Sequence, residues 1–209
     1  MISHHGFHTL VEFETAIQST RISTPTKTQL SLIEGLDTAV KMLRQVKEKN
    51  KKLIFIGNGA SAAMASHHSV DIWKNGGIKA VAFNDSSLLT CISNDYSFSD
   101  VFAKPMECFG ESQDVLVAIS SSGASPNIIK AVEAARKKGC EIITFSGFRL
   151  TNPLSKLGDL NFLVPSQTYG VVESAHTLLI HSVTDEYIRR FCELAASPEK
   201  TQSQPLDQA

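Results

Sequence analysis

Cysteine is scarce in this 209-residue chain, and its four copies (Cys91, Cys108, Cys140 and Cys192) are scattered without a CxxC pair. That spacing excludes a zinc knuckle and argues for reduced structural thiols in the cytosol rather than a disulfide frame. An excess of one charge is missing too: 20 basic against 21 acidic side chains leave a net −1, with no basic block. Nucleic acid and anionic membrane surfaces are therefore not expected as partners. No apolar run approaches the ~20 residues that cross a bilayer. The opening stretch "MISHHGFHTLVEFETA" has no positive region leading into an apolar one, so no export signal is expected and the location is read as cytoplasmic. Two nucleotide motifs are also absent: there is no GxxxxGK[ST], and "GNGAS" does not match GxGxxG.

What is present is 42% hydrophobic content, enough to bury the core of one domain, at most two. In "TQLSLIEGLDTAVKMLRQVKEK", Leu32, Leu36, Val40, Leu43 and Val46 recur at three- and four-residue steps, which predicts an amphipathic helix. So apolar a face must pack on its own core or on a partner chain. Short apolar strands follow in "KKLIFIGNG", "IKAVAF", "DVLVAISSSG", "CEIITFSG" and "DLNFLV". Helices are predicted from about Ser61 to the Gly76-Gly77 stop, over "DSSLLTCIS", over "SPNIIKAVEAARKKG" with Ser125 as N-cap and Pro126 at its first position, and from about Val172 to Glu193. Strands that are apolar throughout and alternate with helices predict an α/β fold: a parallel five-stranded sheet in a three-layer αβα sandwich, plus the N-terminal helix. The expected organisation is an N-terminal extension over 1–27, a single domain over 28–196 and a disordered polar tail over 197–209.

Ligands of such sheets sit beyond the carboxyl ends of the strands. There, "AISSSGASPN" puts Ser120, Ser121, Ser122 and Ser125 within six residues, between a strand end and a helix start. Main-chain N–H groups, the helix dipole and the hydroxyls together suit a phosphate dianion. The turn has no lysine or arginine, so neutral donors would do the holding.

In "IGNGASAAMASHHSVDIW", His67 and Asp71 stand four apart and project from one face of a helix that Ser61 can cap. His68 is rotated ~100° from His67 and is read as incidental. The last helix, "VVESAHTLLIHSVTDEYI", offers Glu173 and His181 on a broad face, ~80° apart, whereas His176 lies ~140° from His181 and is the weaker candidate. Two helices that each carry a carboxylate and an imidazole can meet beside the serine turn.

These segments, with "ISNDYSFSDVFAK", resemble the sugar isomerase (SIS) domain and, within it, the phosphoheptose isomerases, over about residues 30 to 192. The resemblance implies a flavodoxin-like SIS fold and conversion of sedoheptulose 7-phosphate to D-glycero-D-manno-heptose 7-phosphate through an enediol. It also implies a cytoplasmic homotetramer with its sites at subunit interfaces. By position, Asp71 and His181 fall on the family's catalytic acid and histidine. His67, Asp71, Glu173 and His181 fall on the positions that bind Zn²⁺ in metal-containing members, one ion per site. Asn58, Gly59, Ala60, Asn94, Asp95, Ser120, Ser121, Ser122, Ser125, Asp71 and Glu173 fall on substrate-contacting positions, with Ser61 beside them as a further hydroxyl for the phosphate.

Three departures from the family pattern stand out. Asp71 replaces the usual glutamate and shortens its reach by one methylene, Glu173 replaces a glutamine and adds a negative charge, and Gly59-Ala60 replaces a double glycine. Two carboxylates with two imidazoles make an N2O2 set suited to Zn²⁺; without a cation, Asp71 and Glu173 in one site would repel each other. The alternative is a non-catalytic SIS binding module of the kind that associates with the bacterial replication initiator. The retained acid at 71 and His181 argue against it, because a scaffold needs neither.

Overall fold

The computed structural model describes residues 8–27 and 29–193, so the tail expected to be disordered from Ser197 lies outside the described residues. Its elements run α1 (His8–Gln18), β1 (Arg21–Ser23), α2 (Leu32–Glu48), β2 (Lys52–Gly57), α3 (Ala60–Asn75), β3 (Lys79–Ala82), α4 (Ser86–Asp95), α5 (Ala103–Phe109), β4 (Val115–Ser120), α6 (Pro126–Lys137), β5 (Glu141–Gly147), β6 (Leu160–Val164) and α7 (Tyr169–Ile188). The sheet order is β1-β6-β5-β4-β2-β3. Strands β2 to β6 pair in parallel, as expected. Among the described residues the sheet nevertheless has six strands rather than five. Arg21–Ser23, within the segment expected to be an extension, pairs antiparallel with β6 through Ile22 opposite Phe162. Three residues are too few to show a period, so pattern reading passes over such an edge strand.

Alternation along each strand separates two cores. Leu53 and Phe55, Val115 and Val117, and Ile143 and Phe145 face α2, α3 and α7. Ile54 and Ile56, Leu116 and Ala118, and Ile142 face α5 and α6 through Phe102, Met106, Ile128 and Val132. Val40, Leu43 and Val46 of α2 are buried in the first core, with Leu32 and Leu36 packed at its edge, so this helix spends its apolar face within its own chain. Helix α2 starts at Leu32 because Ser31 and Glu34 form a reciprocal capping box: the Ser31 hydroxyl accepts from Glu34 N–H at 3.2 Å, and Ser31 N–H donates to the Glu34 carboxylate at 2.7 Å. Helices α1 and α5 are absent from the periodicity reading. The seven residues of α5 span barely two turns, and α1 takes its burial from packing on α7.

Strand order reverses between β2 and β4. The crevice that a doubly wound sheet offers to ligands therefore opens at the carboxyl ends of these two neighbours. Both the glycine turn and the serine turn leave from that edge.

His176 shows why the last helix carries an imidazole with no exposed role. Its side chain is fully buried, and Nε2–H donates to the Ser146 carbonyl at 3.0 Å, while Nδ1 has no partner. Burial pushes its pKa from the ordinary 6.5 down to about 4, because protonation would put an uncompensated charge in the core. The unfolded chain therefore binds this proton more readily, and the stabilisation from neutral His176 is complete above about pH 6.5 and lost as pH falls towards 4. Urea unfolding at pH 7 and pH 4.5 should show His176→Gln losing about 2–3 kcal/mol less than the wild type over that interval; equal losses in the two proteins would refute the assignment.

Candidate active site

The glycine turn is built for close approach. A Cβ on Gly57 would overlap the Ser61 carbonyl, and Gly59 takes φ +57° as the residue that caps α3. Ser61 is thus not the cap, as expected from sequence, but a buried residue of the first turn. Ala60 begins the helix without a positive φ and with its side chain exposed, so its departure from a double glycine costs the backbone nothing.

In the serine turn, the Ser120 hydroxyl accepts from Gly123 N–H at 3.2 Å and lies 3.5 Å from the Ser125 hydroxyl. Ser122 accepts from Ala124 N–H at 3.3 Å. An oxygen occupied as an acceptor leaves its own O–H free to donate outward. Ser125 is the N-cap of α6, as expected, but makes no side-chain capping bond, and Ser121 is 6% exposed. A side chain at Gly123, which has φ +60°, would collide with Asn152, so the turn is pinned against that buried amide.

The two turns are joined by a residue that sequence reasoning passes over. The Asn58 amide donates to Asn127 at 2.9 Å and accepts from it at 2.8 Å, and Asn127 is 2% exposed. Asn127 also accepts from Ile128 N–H. Each amide satisfies the other where β2 and β4 end side by side. Asn94 and Asp95, by contrast, lie exposed at the end of α4, bonded to each other at 2.9 Å rather than to either turn.

The second group forms where α3 and α7 pack. Asp71 Oδ2 lies 3.6 Å from His67 Nε2 and 3.6 Å from His181 Nδ1, so carboxylate and imidazoles from segments 110 residues apart do converge. Among the described residues, His67, His68, Asp71 and His181 each offer one donor atom, all within 4.8 Å of one another. Glu173, expected in this group, is outside it. Eight residues rotate Glu173 by only ~80° from His181 but carry it about 12 Å along the helix, towards the sheet edge.

His68 stands ~100° around the helix from His67, which on its own makes it look incidental. Its spacing of three from Asp71 is the signal that would have placed it correctly. Its ring lies 4.5 Å from that of His181 and 5.2 Å from that of His67, fully buried, with both nitrogens lacking a hydrogen-bond partner. Burial first, then the neighbouring His181 and His67, push its pKa down to about 4, against the pull of Asp71. Around it, His67, Asp71 and His181 remain open to solvent, with side-chain exposures of 58%, 25% and 34%. Three nitrogens and a carboxylate oxygen, one of them held neutral and unsatisfied, can bind a metal ion.

The doubly wound sheet with a serine turn at its switch point is the architecture of a SIS-type fold. The SIS domain family profile matches residues 18–147. Phosphoheptose isomerase from Helicobacter pylori (strain P12) is 35% identical over 167 residues, covering 77% of this chain and 86% of that protein. Its counterpart from Thermodesulfovibrio yellowstonii is 36% identical over 177 residues, covering 82% and 86%. The structure of phosphoheptose isomerase from Neisseria gonorrhoeae superposes with a TM-score of 0.74 at 32% identity, covering 86% of this chain and 93% of that one. The chain belongs to the SIS domain family and, within it, to the phosphoheptose isomerases, which makes it an isomerase.

Asn127→Ala tests the link between the turns. Removing one partner strands the Asn58 amide, so urea unfolding should show a loss of about 2 kcal/mol, with KM for a phosphorylated ketose rising several-fold more than kcat falls. An unchanged KM would mean that the amide pair does not position the turns.

Proposed function

We propose that the protein interconverts sedoheptulose 7-phosphate and D-glycero-D-manno-heptose 7-phosphate, as a step of heptose biosynthesis. The observation that carries this reading is the 3.6 Å approach of Asp71 to His181 on helices that flank the serine turn. Ser120, Ser121, Ser122 and Ser125, with Ser61 and the main chain at Asn58, Gly59 and Ala60, hold the phosphate and the adjacent chain of the sugar. Seven residues of α3, about 10 Å of rise, separate Ala60 from His67. That separation suits a sugar bound at one end by its phosphate and reacting at the other. Glu173, about two turns of α7 from His181 on the side of the helix start, contacts the sugar hydroxyls, as do Asn94 and Asp95 once the site is assembled.

Asp71 and His181 move the protons. One of them takes a proton from C1 of the ketose, the C1–C2 enediol forms, and the proton is returned to C2. Meanwhile O2 gains a proton and O1 loses one, leaving the aldose. Such acid–base help is worth ~10²–10⁴-fold, and the bound phosphate contributes remote binding energy to the transition state. The donor set at His67, Asp71 and His181 fits Zn²⁺, one ion per site, which when bound would polarise the carbonyl oxygen. The unsatisfied nitrogens of His68 beside that set support a resident cation.

The protein works as a homotetramer in the cytoplasm, with the α3–α7 face at a subunit interface. Supporting this, Val70, Trp73 and Leu178 are exposed on the turns next to His67, Asp71 and His181, an apolar collar around a polar group. No helix among the described residues is long and apolar enough to cross a membrane.

Purified protein incubated with sedoheptulose 7-phosphate should give a new aldose anomeric signal by NMR. Asp71→Asn should cut that rate by at least ~100-fold with an unchanged melting temperature. An Asp71→Asn protein isomerising at the wild-type rate would remove Asp71 from the mechanism, and a wild type giving no aldose would favour the binding-module reading.

A further inference from the structure

We infer that His68 is the fourth protein ligand of the metal centre, so that three imidazoles and the Asp71 carboxylate hold the ion and Glu173 is left to the substrate. This rests on the metal reading above and assigns the ligand which that reading leaves open.

A fully buried imidazole with neither nitrogen hydrogen-bonded is a poor choice for a packing position, where an apolar ring or a leucine would fill the space without stranding two polar atoms. His176 offers the comparison within the same fold. Equally buried, it spends one nitrogen on the Ser146 carbonyl. One of the unsatisfied nitrogens of His68 lies where three other metal-type donors gather, within 4.8 Å of one donor atom from each. Zn–N and Zn–O bonds of ~2.0–2.1 Å put neighbouring ligand atoms of a tetrahedron roughly 3.4 Å apart. Asp71 Oδ2 is already 3.6 Å from His67 Nε2 and from His181 Nδ1, so two of the six edges of that figure stand near their bound length. The 4.5 Å, 73° edge arrangement of the His68 and His181 rings keeps the two imidazoles from stacking and lets both direct nitrogens to one point.

The donor types agree with this assignment. Imidazole-rich N3O sets favour Zn²⁺ and Co²⁺ over Mg²⁺ and Ca²⁺, which prefer oxygen. Three neutral ligands and a single carboxylate leave the bound ion with a net positive charge, so a substrate carbonyl oxygen would be drawn to it through expansion to five-coordination. A second carboxylate in the set would have cancelled that charge.

The test uses Co²⁺ as the probe. Metal-free full-length protein is titrated with Co²⁺ and its visible d–d absorption followed, in the wild type, His68→Leu and His68→Phe. The wild type should bind one Co²⁺ per chain with the intense bands of a four-coordinate ion. Both variants should bind at least ~10-fold more weakly, the lower end of what even an outer-shell partner is worth, with bands shifted and weakened. The metal-free variants should melt at or above the wild-type temperature, because two stranded nitrogens are gone, and should lose the rise in melting temperature that the metal confers on the wild type. Equal affinity and identical spectra in all three proteins would overturn the role of His68 and leave the metal reading standing. No Co²⁺ binding by the wild type would overturn both.

Discussion

Everything proposed for this protein depends on one approach between helices: the Asp71 carboxylate of α3 is held between imidazoles of its own helix and of α7. Neither helix could present such a group alone. Their meeting is enforced from below, where Ile72, Ile180 and Val183 are buried in the core that covers one face of the sheet, together with Ala39 and Leu43 of α2. Packing of these apolar residues fixes the distance between the helices, and the polar group at the surface inherits its geometry from that packing. Outer polar residues positioned by an inner apolar layer tolerate little movement, because cores are close-packed and resist small changes of volume.

The sheet supplies the second half of the site. Reversal of strand order between β2 and β4 leaves two turns side by side, and the reciprocal amides of Asn58 and Asn127 hold them in register. The serine turn contains no cation, so the phosphate binding proposed for it would rest on hydroxyl and main-chain donors that must be oriented in advance. Pinning Gly123 against Asn152 and tying Asn58 to Asn127 is how this fold orients them. Helix α3 runs from this edge to the acid–imidazole group and connects the two halves by a rigid rod.

Much of this was legible in the chain. The apolar strands, the serine turn after β4 and the pairing of His67 with Asp71 follow from period and spacing, since these are local properties. Convergence of Asp71 with His181 is not local, and it became readable only through resemblance to a family. Three features escaped for physical reasons. Edge strand β1 is too short to carry a period and exists because β6 offers it a partner. Asn127 reads as an ordinary first-turn residue until its partner 69 positions away is placed beside it. His68 was judged by its angle to His67 alone, although its three-residue step to Asp71 places both on one face. Glu173 shares a broad face with His181 but stands eight residues, about 12 Å, along the helix from it, so within one chain it is apart from the donor group.

The most direct measurement is a crystal structure of the Asp71→Asn protein soaked with sedoheptulose 7-phosphate. Phosphate oxygens within hydrogen-bond distance of the Ser120–Ser125 turn, with C1 and C2 beside position 71 and His181 of the same site, would bear out the account. A sugar phosphate bound with its carbonyl end remote from position 71 and His181 in every subunit would contradict it.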